Sequence, residues 1–214
     1  MYRAIVPAMR TLLRLSLLAV ALPCLLGTAR AETPVASVAA VDLQRYAGRW
    51  FEIGSFPMFF QRQCIGDTTA EYALKPDGEV SVTNRCRTDN GFDQAQGTAW
   101  PAEAGDNARL KVSFFWPFRS DYWVIGLDPD YRWAVVGNPN RKYLWILSRT
   151  PELPKPLLDE ALKAATAQGY DLGQLRYTAQ GRKVGADEAP TQQGGRAEDA
   201  LLAAADGGTA TDAR

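Results

Sequence analysis

The amino-acid sequence predicts an all-β fold, an eight-stranded antiparallel up-and-down β-barrel with a C-terminal α-helix packed on its outside. Between residues 48 and 149, short segments alternate between apolar and polar residues and are separated by turn signals. No segment there keeps a helical period over about 10–15 residues, which disfavours parallel βαβ units. Eight consecutive hairpin-linked strands suffice to close such a barrel and leave no edge.

Residues 1–31 are predicted to be a secretory signal peptide. Basic residues precede an apolar segment over 15–26 that is too short to span a bilayer, and Ala29-Arg30-Ala31 supplies the small residues of a cleavage site. The alternative is an outer-membrane lipoprotein anchored through Cys24. Pro23 before that cysteine and the apolar residues after it are untypical of a lipoprotein signal.

The composition excludes several classes of function. The chain has 24 basic and 24 acidic residues and no histidine. Residues 1–31 hold four of the basic residues and no acidic one, so the rest of the chain has a net charge of about −4. Nucleic-acid binding needs a basic face, which this balance disfavours. Without histidine there is no Ser-His-Asp or Cys-His catalysis and no His-ligated metal, and we expect no cofactor.

The first predicted strand runs from Gly48 to Phe56, after a polar segment over 41–47 that can wind one helical turn. Glycine allows a close backbone approach, and Trp50 is large enough to fill the floor of a small barrel. Because side chains alternate along a strand, Trp50 and Phe56 are expected on the same inward face.

Seven further strands are predicted, each ended by residues that favour turns. They cover residues 68–75, 79–87, 92–100, 109–115, 121–128, 132–138 and 142–149. The alternation is clearest in the fifth strand of the barrel, where Leu110, Val112 and Phe114 face one side and Arg109 and Lys111 the other. Charged side chains are costly in hydrocarbon, so the apolar face is expected inside and the polar face in water. A barrel of this size is either filled by side chains or holds one small ligand.

The chain after the barrel is predicted to form one helix and a tail. Apolar residues spaced three and four apart over 155–169 indicate an amphipathic helix that lies against the barrel wall. Residues 172–177 are expected to add a short ninth strand. The folded domain is therefore assigned to residues 32–180, and the polar segment 181–214 is predicted to be disordered.

Two cysteines follow the signal peptide, Cys64 and Cys86. In an exported protein such a pair is expected to form a disulfide. Two separate buried thiols are the alternative.

Three spaced motifs resemble the lipocalin family, and within it the bacterial lipocalins of the outer-membrane lipoprotein and apolipoprotein D branch. Gly48-Arg49-Trp50 opens the first strand, and Ser120-Asp121-Tyr122 stands where the family has a Thr-Asp-Tyr-like motif. Arg149 ends the last barrel strand, where the resemblance places its guanidinium over the ring of Trp50. The segments 110–115 and 143–151 also resemble the bacterial members, and the likeness runs from about Val41 to about Tyr177.

The resemblance implies a protein that binds, transports or stores a small hydrophobic ligand, such as a fatty acid or lysophospholipid, in cell-envelope lipid maintenance. The candidate ligand-binding residues are Phe56, Leu110, Val112, Phe114, Phe118, Tyr143, Trp145 and Leu147. Some of these side chains can equally be plain core.

Two other functions remain open from the sequence. One is an enzyme on the same scaffold that uses Glu52 on the inward face of the first strand. The other is a protein-interaction module that engages its partner through aromatic loops at 56–60 and 116–118. Peripheral membrane association also remains open.

We expect signal cleavage after Ala31, because Ala29-Arg30-Ala31 has the small residues that signal peptidase requires. N-terminal sequencing of the exported protein should find Glu32 first. A mature chain that begins at an acylated Cys24 would contradict this prediction.

Overall fold

The computed structural model describes residues 33–181. The predicted signal peptide and residues 182–214 of the predicted disordered segment 181–214 lie outside the described residues. Within residues 33–181, no helix is long and apolar enough to cross a membrane.

Strands dominate the described part of the chain, as the sequence predicts. They are β1 Gly48–Ser55, β2 Gly66–Leu74, β3 Val80–Thr88, β4 Gly91–Pro101, β5 Arg109–Phe115, β6 Phe118–Leu127, β7 Trp133–Gly137, β8 Leu144–Ser148 and β9 Arg176–Tyr177. The α-helices are α1 Leu43–Tyr46 and α2 Lys155–Ala167, and short 3-10 helices cover Phe59–Gln61 and Leu172–Gln174.

The first eight strands close into an antiparallel barrel, which confirms the predicted fold class. Each strand from β1 to β7 pairs with the next one, and β1 also pairs with β8. Phe51 illustrates the closure, because it lies opposite Thr69 of β2 on one side and Ser148 of β8 on the other. The closed sheet leaves no long edge among the eight strands.

An irregularity in β1 changes which side chains face inward. The register with β8 shifts between Glu52 and Gly54, so β1 carries one extra residue there. Because side chains alternate, this bulge reverses the facing of every later residue. Phe56 therefore packs outside the barrel, with its ring 5.9 Å from that of Tyr170. The expectation that Phe56 faces the interior is wrong for this reason.

The helix α2 covers one side of the barrel, as predicted. Ala161 and Ala165 are fully buried, in a layer with outward side chains of β6 to β8 such as Val135. The helix approaches β6 so closely that a Cβ on Gly126 would lie 2.8 Å from the Cβ of Ala164. Small residues on both elements are what permit this contact.

Cys64 and Cys86 form the predicted disulfide. Their Cα atoms lie 5.5 Å apart, within the usual range for the bond. Cys64 follows the 3-10 helix Phe59–Gln61 and Cys86 lies on β3. The bond therefore fixes the loop between β1 and β2 to the barrel wall.

The C-terminal segment 176–181 fills a gap between β1 and β2. These two strands pair only as far as Phe51 and Thr69. Beyond that point β9 pairs with β1, and the Ala179 carbonyl accepts a hydrogen bond of 2.8 Å from the Asp67 amide of β2. The Gln180 side-chain amide spans the gap and donates to the carbonyls of Glu52 at 2.8 Å and Thr68 at 2.9 Å.

We predict that Gln180→Ala lowers the free energy of unfolding by about 1–3 kcal/mol, because two carbonyls of buried residues lose a donor. Urea denaturation measures the change. Gln96→Ala, on the exposed side of β4, serves as the matched control and should change stability by less than about 0.5 kcal/mol. Equal effects of the two substitutions would show that the segment does not close the gap in solution.

Candidate functional site

One end of the barrel is closed by Trp50 and Arg149. The Trp50 side chain is fully buried, and the guanidinium carbon of Arg149 lies 3.8 Å from the centre of its ring, the arrangement that the resemblance implied. The Arg149 guanidinium donates hydrogen bonds to the carbonyls of Arg45, Ala47 and Arg49. These contacts tie the end of β8 to α1 and to the start of β1.

Three tyrosine hydroxyls meet inside the closed half of the barrel. The Tyr122 hydroxyl lies 2.8 Å from that of Tyr46 and 2.9 Å from that of Tyr72. Burial raises the pKa of Tyr72 to about 12 and the pKa values of Tyr46 and Tyr122 well above their usual value. All three are therefore neutral near pH 7. We call these residues the tyrosine trio.

A cavity of about 10 Å³ lies beside the tyrosine trio. That volume is about one water-sized probe sphere. Its other lining residues are apolar: Leu43, Ala47, Val80, Val82, Ala99 and Leu110. The closed half of the barrel is therefore packed rather than hollow.

Toward the other end, the inward side chains become more exposed. Leu110 and Leu147 are buried in the inner core, whereas Val112, Phe114 and Trp145 pack against that core and are only half-buried. These five positions lie in the interior, where the alternation of β5 and β8 places them. The interior therefore opens toward the end at which β5 finishes and β8 begins.

Phe114 occupies space that a glycine leaves free. A Cβ on Gly97 would lie 2.8 Å from the Phe114 ring and 2.6 Å from the Ser113 carbonyl oxygen. Glycine at this point of β4 is thus required for the ring to lie across the inner wall.

A row of aromatic rings leads from the interior to the rim. The Trp145 ring centre lies 5.9 Å from that of Tyr143, which lies 5.8 Å from that of Phe60, and Phe60 contacts Phe59. Burial raises the pKa of the half-buried Tyr143. Because the Tyr143 ring lies between the interior Trp145 and Phe60 of the rim loop, Tyr143 is at the mouth of the barrel, as expected from its place before Trp145.

The hairpin between β5 and β6 carries a second group of aromatic residues at the same end. Phe115 and Phe118 stack with ring centres 6.4 Å apart. Trp116 at the tip is 77 % exposed and Phe115 is 46 % exposed. Phe118 thus belongs to the rim and not to the interior wall.

Glu52 belongs to a buried hydrogen-bond network. Its carboxylate accepts hydrogen bonds from the Ser55 hydroxyl at 3.1 Å, the Gln61 side-chain amide at 3.0 Å and the Thr178 hydroxyl. Gln61 in turn accepts a hydrogen bond of 3.1 Å from the indole of Trp145. The network joins the rim loop, β1, β8 and the C-terminal segment.

Two further family motif residues have a structural place. Gly48 has a φ of +92°, which favours glycine, and a Cβ there would lie 3.5 Å from the Arg149 guanidinium. Asp121 pairs with Lys111 on the neighbouring strand at 2.6 Å, next to the inward Tyr122. Among residues 33–181, no group of three or more His, Cys, Asp or Glu side chains is arranged to hold a metal ion.

Sequence reasoning missed the tyrosine trio and the partners of Glu52. The trio combines residues from α1, β2 and β6. Gln61 ends a short 3-10 helix and Thr178 follows β9, and no periodic pattern in the sequence predicts where these two residues lie. The one signal in the sequence is that Tyr72 and Tyr122 both stand at positions whose side chains face inward by the alternation of their strands.

The geometry defines a class of protein, an antiparallel barrel with an apolar interior, one closed end and one open end, which is the form of a small-ligand binding barrel. The model of the lipocalin-like domain family matches residues 41–180. The chain therefore belongs to the lipocalin family, whose members bind small hydrophobic molecules.

Several named relatives are similar over most of their length. Temperature-induced lipocalin-1 of Arabidopsis thaliana is 40 % identical over 151 residues, which cover 67 % of this chain and 81 % of the relative. The outer membrane lipoprotein Blc of Escherichia coli K12 is 42 % identical over 69 % of this chain and 86 % of its own. Apolipoprotein D of Macaca fascicularis is 34 % identical over 65 % and 77 %, respectively. The predicted branch of the family is confirmed.

Solved structures support the same fold. Insecticyanin from the tobacco hornworm superposes with a TM-score of 0.55 at 23 % identity, over 69 % of this chain and 85 % of its own. Lobster apocrustacyanin A1 gives 0.53 at 17 % identity, over 65 % and 79 %. At these identities the likeness shows the fold alone.

We predict that Trp50→Ala lowers the free energy of unfolding by about 3–5 kcal/mol, because the fully buried ring leaves a cavity and Arg149 loses its contact surface. Trp145→Ala is the matched control, and its loss should be clearly smaller because that ring is half-buried. Chemical denaturation followed by circular dichroism measures both. Equal losses would contradict the assignment of Trp50 to the closed end.

Proposed function

We propose that this protein holds one long-chain fatty acid or lysophospholipid in the open half of the barrel. The supporting observation is the gradient of burial along the inward apolar side chains, from Trp50 at the closed end to the half-buried Val112, Phe114 and Trp145. The cavity of about 10 Å³ beside the tyrosine trio is too small for an acyl chain. An acyl chain therefore enters from the mouth and packs against the half-buried aromatic residues.

The affinity expected for such a ligand is modest. Burying a dozen or so methylenes contributes roughly 10 kcal/mol at about 0.8 kcal/mol each. Association and ordering cost at least about 4 kcal/mol, which leaves about −6 kcal/mol and a Kd of tens of micromolar. Polar contacts to a headgroup would tighten this value.

The headgroup of the proposed ligand is expected at the mouth. Arg62 follows the 3-10 helix of the rim loop and Arg119 follows the aromatic hairpin, and both are exposed. The buried Glu52 carboxylate, which Gln61 links to Trp145, would repel an anion that moved deeper. A carboxylate or phosphate therefore stays beside the exposed arginines.

Binding rather than catalysis is the function that we propose for Glu52 and its surroundings. Three donors bind its carboxylate, two at Oε1 and one at Oε2, and all three come from the protein's own side chains. These contacts hold the carboxylate as an acceptor in the wall, whereas a general base must reach the proton that it removes from a substrate. The network instead holds Gln61 against Trp145 at the mouth. Glu52 thereby fixes the shape of the entrance.

We also propose that the protein is exported and takes part in lipid maintenance in the cell envelope. The predicted signal peptide and the similarity to proteins named outer membrane lipoprotein support this proposal. Anchoring through Cys24 remains the alternative to a free exported form.

A lipid surface is the proposed partner of the aromatic hairpin. Trp116 and Phe115 are large and exposed at the tip, and Trp is favoured at membrane–water interfaces. Arg119 lies next to them and suits the phosphates of a headgroup layer. Contact at this point would bring the open end of the barrel against the source of its ligand.

The ligand proposal is tested by adding lysophospholipid or hexadecanoic acid to the purified protein and following tryptophan emission. We expect saturable binding with a Kd on the order of micromolar to tens of micromolar.

Trp145→Ala should weaken binding by about 1–3 kcal/mol through lost apolar contact. Trp100→Ala, on the outer face of β4, is the matched control and should leave the Kd unchanged. Because Trp145 is itself a reporter, the variants are compared by isothermal calorimetry. Absence of binding by the parent protein would reject the proposal.

The membrane proposal is tested by co-sedimentation with phosphatidylglycerol vesicles. Trp116→Ser should reduce the bound fraction several-fold, because the most exposed ring of the hairpin no longer enters the interface. Tyr177→Ser is the control, since Tyr177 is 62 % exposed on the barrel wall away from the hairpin. If both variants sediment like the parent protein, the hairpin does not dock on lipid.

A further inference from the structure

We propose that the tyrosine trio is a second recognition element, which accepts a neutral oxygen group, above all a hydroxyl, at the inner end of the ligand. The inference rests on the proposed function, since it concerns the end of the ligand that points away from the mouth. The trio would give the barrel a preference for ligands with a neutral oxygen group at the inner end, which an apolar interior alone would not have.

The tyrosine trio has one more hydroxyl proton than its own contacts use. Three hydroxyls carry three protons, but the trio contains two hydroxyl–hydroxyl contacts, both made by Tyr122. Each contact uses one proton, so one of the three protons has no acceptor within the trio, whichever hydroxyl carries it. Among residues 33–181, none of the three hydroxyls has a hydrogen-bond partner outside the trio.

The small cavity described above lies beside the hydroxyls of the trio. The cavity of about 10 Å³ is lined by all three tyrosines and otherwise by apolar side chains. One water-sized oxygen group fills such a volume. A hydroxyl suits the place best, because it accepts the unused proton and donates its own proton to one of the free lone pairs of the trio.

The side chains that line this cavity are uncharged. The cavity lining contains no Lys or Arg, and the side chains that face it are neutral. Burial keeps the trio protonated, as the raised pKa of Tyr72 indicates. Arg149 acts electrostatically on Tyr46, but its guanidinium does not line the cavity and donates to three backbone carbonyls. A carboxylate in the cavity would therefore have no cation in contact with it, which is unfavourable. The site therefore distinguishes a neutral oxygen from an anionic one.

The test compares hexadecanoic acid with ω-hydroxyhexadecanoic acid and hexadecanedioic acid, and repeats the comparison in the decanoic series because chain length decides which end group reaches the trio. All these ligands carry one carboxylate for the mouth and differ only at the inner end. Calorimetry gives the Kd of each ligand for the parent protein. We expect the ω-hydroxy acid of at least one series to bind within about threefold of its unsubstituted acid, and the dicarboxylic acid to bind at least about tenfold more weakly.

The matched variant replaces all three tyrosines at once, as Tyr46→Phe, Tyr72→Phe and Tyr122→Phe. It keeps the rings and leaves no hydroxyl without its partner, so the fold is expected to survive. This variant should bind the unsubstituted acid like the parent protein and the ω-hydroxy acid about tenfold to a hundredfold more weakly. Tyr177→Phe, on the outer wall, is the control and should behave like the parent protein.

Each outcome decides the inference. Equal rejection of the ω-hydroxy acids by the parent protein and the triple variant overturns it, while the proposed function stands because the unsubstituted acids bind. Equal binding of the dicarboxylic and ω-hydroxy acids by the parent protein overturns it without the variant, even if the triple variant fails to fold. If no unsubstituted acid binds the parent protein, the proposed function itself fails.

Discussion

The barrel depends on β1 pairing along both of its edges. Phe51 has partners on β2 and on β8, so the sheet closes through this strand. Closure is what turns the side chains of the inner core toward one another, including the fully buried Trp50. It also explains why Arg149 at the end of β8 reaches three carbonyls beside the start of β1. An open sheet would expose the same residues to water.

The two ends of the barrel differ because the size and polarity of the inward residues differ. At the closed end, Trp50 and the tyrosine trio fill the cross-section, where the Trp50 indole donates to the Tyr46 carbonyl and the three hydroxyls make two contacts with one another. Toward the mouth, Gly97 leaves room for Phe114 to lie across the wall. Gln61 bridges Glu52 and Trp145 at the rim. One continuous interior is thus closely packed at the closed end and has half-buried apolar surface near the mouth.

The parts of this structure that were predictable from the sequence are those that depend on regular alternation. Leu110, Val112 and Phe114 face inward because β5 keeps its period from Leu110 to Phe114, and Trp145 and Leu147 do so for the same reason on β8. Phe56 was misplaced because the extra residue between Glu52 and Gly54 reverses the period, and a bulge leaves no clear mark in composition. Contacts such as Glu52 with Thr178 were beyond reach, since they join irregular segments far apart in the chain.

The gap between β1 and β2 that the C-terminal segment fills has a consequence for the order of synthesis. Ser55 near the start of the domain finds its partner Arg176 only when nearly the whole domain has been made. Until then this stretch of β1 presents unpaired backbone groups on one edge. Joining such distant parts of the chain carries a high entropic cost and makes folding slow. The barrel wall is therefore completed only after the segment 176–181 has been made, and until then the unpaired edge of β1 is exposed to aggregation.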